Sequence, residues 1–129
     1  MENTKKVLLF QVRQEKRIQI EALCRDLEMD AVTVDRKQYL EPLGVIAGIQ
    51  GIPKSGKIYQ GMDFPMEMMV FSGIHQELLE VFLQKYRELS IDPIALKAIL
   101  TPTNIFWNAE QLYRELLKEH LELNRGKQK

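Results

Sequence analysis

Between Met68 and Leu123 the chain twice couples a strand-length apolar run to an amphipathic helix, and this alternation restricts the fold more than any other feature. Met68-Met69-Val70-Phe71 is short and wholly apolar, as suits a strand covered on both faces. Ile74, Leu78, Leu79, Phe82, Leu83, Tyr86 and Leu89 then recur at helical spacing. Ala95 to Leu100 reads as a further strand, entered through Asp92-Pro93. The last helix is expected to start at Asn108, where Asn108-Ala109-Glu110-Gln111 fits a capping box and Leu112, Leu116, Leu117 and Leu121 form one stripe.

The first half has the same grammar in weaker form. Val7 to Val12 reads as a buried strand, and Ile20, Leu23, Cys24 and Leu27 place a helix over about Glu15 to Leu27. Ala31-Val32-Thr33-Val34 is less apolar and is assigned to a sheet edge. Pro42 suits a first helical turn, so a short helix is expected within Tyr39 to Ile49, weakened by Gly44 and Gly48. Gly51 to Pro65 has no period and is read as a flexible loop, and 124–129 as a frayed tail. No internal repeat is evident. The reading is one domain over 1–129, with its core at about 5–123.

The order β-α-β-(α)-β-α-β-α predicts an α/β fold, a four-stranded mostly parallel sheet with helices on both faces. The two most apolar strands belong in the middle, giving the order 2-1-3-4. The same centrality also fits a ferredoxin-like α+β sandwich, in which the first and third strands run oppositely.

In a parallel sheet all strand carboxyl ends share one edge, where ligands bind. That edge would gather Arg13, Ser72 and His75 with Thr101, Thr103, Asn104 and Trp107 into one binding rim. Ser72 is the expected N-cap of the following helix and Gly73 its tight turn. Thr101-Pro102-Thr103-Asn104 is the one polar cluster with a specified look, and Phe106-Trp107 behind it is either core or an anchor for a partner.

Other features lead away from chemistry. Gly51-Ile52-Pro53-Lys54-Ser55-Gly56-Lys57 resembles the front of a P-loop, but Ile58 stands where a hydroxyl must hold magnesium. Eighteen basic residues balance eighteen acidic ones, so no long-range attraction to nucleic acid or anionic lipid is expected. A single cysteine, Cys24, excludes an intramolecular disulfide and a Cys-based zinc site. No apolar run suits a signal sequence or a membrane span, and the expectation is a cytoplasmic protein without a cofactor.

The segments VFSGIHQELLEVFLQKYRE (70–88) and KAILTPTNIFWNAEQLYRELLKEH (97–120) resemble a small bacterial family filed as a domain of unknown function, marked by TPTN followed three residues later by Trp. The resemblance implies a bacterial, cytosolic protein and brings no activity, cofactor or catalytic residue. Comparison with response-regulator receivers fails on chemistry, since Gln11, Val12 and Ser72 stand where the acidic residues belong. The functional expectation is a small non-enzymatic module engaging a protein or small ligand through the TPTN–Trp107 rim, with homodimerisation through Phe106–Trp107 open. The alternative is a metabolite-binding or enzymatic domain using Arg13, Ser72 and His75 around an anionic group.

Overall fold

The computed structural model describes residues 4–127. In chain order these form β1 (Lys6–Phe10), α1 (Gln14–Asp26), β2 (Asp30–Thr33), a first 3₁₀ turn (Arg36–Gln38), α2 (Leu43–Ile46), β3 (Met68–Ser72), α3 (Gln76–Glu88), β4 (Leu96–Ile99), a second 3₁₀ turn (Asn104–Phe106) and α4 (Ala109–Lys127). The strands form one four-stranded sheet in the order β2-β1-β3-β4, as their apolarity predicts. β1 pairs parallel with β2 and β3 with β4, while the central pair β1–β3 is antiparallel. The α/β expectation of a mostly parallel sheet with helices on both faces therefore holds, with one reversal at its centre. Residues 128–129 of the expected tail lie outside the described residues, and α4 continues through 124–127.

The reversal exposes a repeat that the sequence conceals. Lys6–Phe10 and Met68–Ser72 are equal in length, as are Gln14–Asp26 and Gln76–Glu88, and each later element starts 62 residues after the earlier one. The helix ends also correspond. Glu28 N–H donates to Arg25 O and Met29 N–H to Cys24 O, as Ser90 N–H does to Arg87 O and Ile91 N–H to Tyr86 O. Glu28 and Ser90 both adopt positive φ, at 58° and 57°. An insertion, Asp92–Ala95, then lengthens the second half before β4.

Beyond the insertion the match resumes, 66 residues apart. Val34 N–H donates to Leu9 O and Leu100 N–H to Phe71 O. The pairs Asp35/Gln38 and Thr101/Asn104 build the same turn. Lys37 N–H donates to Asp35 Oδ1 and Asp35 N–H to Gln38 Oε1, while Thr103 N–H donates to Thr101 Oγ1 and Thr101 N–H to Asn104 Oδ1. The chain is two β-α-β-turn-α halves related by a pseudo-two-fold axis. The β1–β3 register maps onto itself about Leu8–Val70, and the isolated bridge Pro42–Asn108 does the same.

Two crossovers of the same hand, related by an axis through the sheet, must lie on one face, and they do. α1 and α3 pack side by side over Val7, Leu9, Met69 and Phe71, using Ile20, Leu23, Leu79 and Phe82. Cys24 is buried in this layer, and burial, then the nearby Glu21 and Asp30 charges, push its thiol up to about 12. The other face carries α2, α4 and the connector between the halves over Leu8, Phe10, Met68 and Val70.

The halves differ most in this second layer. α2 stops at Ile46, and Gly48 turns the chain away at φ 80°, whereas the corresponding α4 runs on for 19 residues. The connector replaces the missing helix. Phe64, 4% exposed, stacks between Tyr39 and Tyr113 with ring centroids 4.1 Å away on each side. Tyr39 Oη donates to Asp63 Oδ1 at 2.6 Å; burial, and then that bond, push the phenol pKa upward. Of the Gly51–Pro65 loop, 53–58 is exposed and Tyr59 to Phe64 is tied to the body.

Two stability tests follow. Phe64→Ala should cost about 3–5 kcal/mol in urea unfolding, because the ring fills a stacked slot and is no loop ornament. At the pseudo-equivalent positive-φ sites, Gly73 stands at 68° with Thr4 O only 2.3 Å from the place a Cβ would take, and Gln11 at 61°. Gly73→Ala should therefore lose more than ~1 kcal/mol while Gln11→Gly loses nothing and gains up to ~1 kcal/mol.

Candidate functional site

The antiparallel centre divides the expected rim between two ends of the sheet. Phe10 lies opposite Met68 and Lys6 opposite Ser72, so Arg13 sits at one end and Ser72 and His75 at the other. Because β4 runs with β3, Thr101, Thr103 and Asn104 lie at the Ser72 end.

At the Arg13 end, a cleft of about 480 Å³ is bordered by Gln11, Arg13 and Glu67 with Val12, Met66 and two prolines. Glu67 occupies the start of α1. Its Oε2 accepts the Arg13 N–H at 3.0 Å, and its Oε1 pairs with the buried Lys16 ammonium, which also reaches Pro93 O at 3.4 Å. A carboxylate at a helix N-terminus complements the unpaired N–H groups and the dipole there. The chain thus fills that anion position itself. The Arg13 side chain carries no hydrogen bond or ion pair among the described residues.

At the opposite end, Ser72 closes β3 at 4% exposure and is not the N-cap of α3. That position belongs to His75, which is exposed and makes no side-chain cap bond. The chain needs the extra residues because Gly73 makes the bend beside Thr4, delaying the helix.

The TPTN cluster is largely consumed by its own turn. Thr101 Oγ1 accepts from the N–H groups of Thr103 and Asn104, Asn104 Oδ1 accepts from Thr101 N–H, and Asn104 Nδ2 donates to Ile99 O. Thr103 remains exposed, with no bond from its side chain to another segment among the described residues. Behind it Phe106 is 62% exposed, whereas Trp107 is half-buried against the second core layer. A groove of about 540 Å³ opens along Trp107, Gln111, Arg114, Glu115 and Lys118. The reciprocal bonds of Asn108 and Gln111, 2.8 and 2.9 Å, form the expected capping box and fix α4 against this groove.

Two groups escaped the sequence reading, although each left a signal. Lys16 lies one turn before Ile20 on the apolar stripe of α1, and a charge on such a stripe implies a buried partner. Gln111, Arg114 and Lys118 follow Trp107 at helical spacing, which marks a shared face. Among the described residues, no His, Cys, Asp and Glu group could hold a metal ion, and no helix is long and apolar enough to cross a membrane.

A family model described as a domain of unknown function (DUF3783) matches residues 67–123. The matched span opens one residue before β3 and closes within α4, taking in the second structural half. No curated protein and no solved structure gives a match.

The turn bonds separate architecture from exposure. Asn104→Ala should cost about 1–2 kcal/mol, since it removes a cap acceptor and a donor together. Thr103→Ala should stay within ~0.5 kcal/mol. Thermal unfolding of both variants measures the contrast.

Proposed function

We propose that this chain is a small non-enzymatic binding module that engages a partner through Thr103, Phe106, Trp107 and the adjoining groove of α4. The observation that carries this reading is Phe106, a large ring 62% exposed beside the only tryptophan of the chain. Exposed aromatic residues next to a half-buried tryptophan are typical anchors of protein interfaces. Thr101 and Asn104 support the face by shaping its turn, and their polar atoms are engaged there. Gathering Arg13, Ser72 and His75 around one anion has no comparable support, because these residues lie at opposite ends of the β1–β3 pair. A cytoplasmic setting fits the single, buried cysteine.

Trp107 is a built-in reporter. Titration with nucleotides, phosphorylated metabolites, amino acids and peptides should shift its emission in the wild type, and the responding ligand should lose that effect in Phe106→Ala. Phe106→Ala should change stability by no more than ~0.5 kcal/mol. A loss of ~3–5 kcal/mol in Trp107→Ala would instead return that ring to the core and remove the reading.

A further inference from the structure

The Phe106–Trp107 face has a counterpart within the same chain, and there another segment of the chain is bonded across it. Residues 36–41 correspond to 102–107 through their shared turn bonds, and Glu41 N–H donates to Gln38 O as Trp107 N–H does to Asn104 O. Across 36–41 runs the chain's own connector, which has no helix or strand between Ile46 and Met68. Ser55 N–H donates to Glu41 Oε1 at 2.7 Å, Tyr59 N–H to Lys37 O at 3.1 Å, and Arg36 Nη1 to Gly61 O at 3.2 Å. The Tyr59 ring packs on Tyr39 with centroids 5.4 Å apart. Leu40 is half-exposed, whereas its counterpart Phe106 is open.

In the second half Trp107 stands where Glu41 receives Ser55. No other segment among the described residues bonds to Pro102, Thr103 or Phe106. The helix continuing from this turn adds Arg114 and Lys118 to the groove wall, against a single acid, Glu115. Arg114 is paired with Glu110 at 3.3 Å, while Lys118 makes no ion pair among the described residues.

We infer that the open face is the seat of an extended peptide segment of a partner protein, laid across the second 3₁₀ turn as the connector lies across the first. The inference rests on the reading of Phe106–Trp107 as a binding face and names its occupant. Where Glu41 takes a backbone N–H, Trp107 offers a ring, so the peptide places an apolar or aromatic side chain there. Lys118, which makes no ion pair among the described residues, then favours an acidic residue beside it. The connector supplies the mode of binding, an irregular strand held at a few backbone points, and the changed residues set the sequence preference.

The test is selection of a random dodecapeptide library on the 129-residue chain, followed by titration of the enriched synthetic peptides with Trp107 emission as readout. The expected result is a motif with an aromatic or aliphatic residue next to an acid, whose Kd rises at least tenfold in Phe106→Asp and severalfold in Lys118→Glu. Circular dichroism and melting of both variants confirm that the fold is retained, and Phe106→Ala serves if Phe106→Asp melts early. Enriched peptides that bind both variants as well as wild type overturn the inference. So does failure to enrich any motif, and the remaining readouts then show what else falls. A small-molecule response of Trp107 lost in Phe106→Ala would keep the binding face and discard the peptide. A concentration-dependent dimer sensitive to Phe106→Asp would assign the face to a second copy. Silence in all three would remove the face itself.

Discussion

The antiparallel pairing of β1 with β3 is the constraint on which the rest of the molecule depends. Both strands are buried on both faces, and their register is centred on Leu8 and Val70. A one-residue slip would exchange the residues serving the two core layers, so register here is held by packing on each side. From that centre the geometry spreads outward. The crossovers fall on one face, β2 and β4 become the edges, and the segments that follow the two 3₁₀ turns meet at the Pro42–Asn108 bridge. The same reversal sends Arg13 and Ser72 to opposite ends of the sheet.

Strand order was legible because apolarity ranks strands by burial, and Met68–Phe71 and Val7–Phe10 stand above the others. Strand direction was not legible. A run buried on both faces reads alike whichever way it points, so nothing in Val7–Phe10 reports the sense of its neighbour. The repeat was hidden for a related reason. Between the aligned spans 6–29 and 68–91 only Gln14/Gln76, Glu15/Glu77, Arg25/Arg87 and Leu27/Leu89 are identical. Some buried positions keep apolar character without identity, as in Ile20 against Phe82 and Cys24 against Tyr86, while others change class, as in Leu23 against Lys85 and Phe10 against Ser72. Even the positive-φ bend after the first strand of each half uses Gln11 in one place and Gly73 in the other.

The second core layer shows how two halves with one plan can be completed differently. The helix that covers β3 and β4 is continuous, whereas the corresponding helix over β1 and β2 ends after one turn at Gly48. The exposed apolar surface that this would leave is closed by the connector, through Phe64 and Tyr59. A connector committed to covering the first half must pass over its 3₁₀ turn. It also reaches α4 of the second half through the stacking of Phe64 on Tyr113, while Phe106 of the second turn stays in solvent.

Duplication also separates the parts that build the fold from those free to do something else. Thr101 and Asn104 looked like a site in the sequence because three hydrogen-bonding side chains cluster after a strand. Asp35 and Gln38 form the same bonds with different chemistry, so the cluster expresses a turn that the fold requires twice. Phe106 and Trp107 have no such twin, since Leu40 and Glu41 stand in their places. A large exposed ring costs solvation without contributing to the turn, and nothing in the shared architecture asks for it. The halves therefore differ most where the connector is bonded to one turn and Phe106 of the other turn stands in solvent.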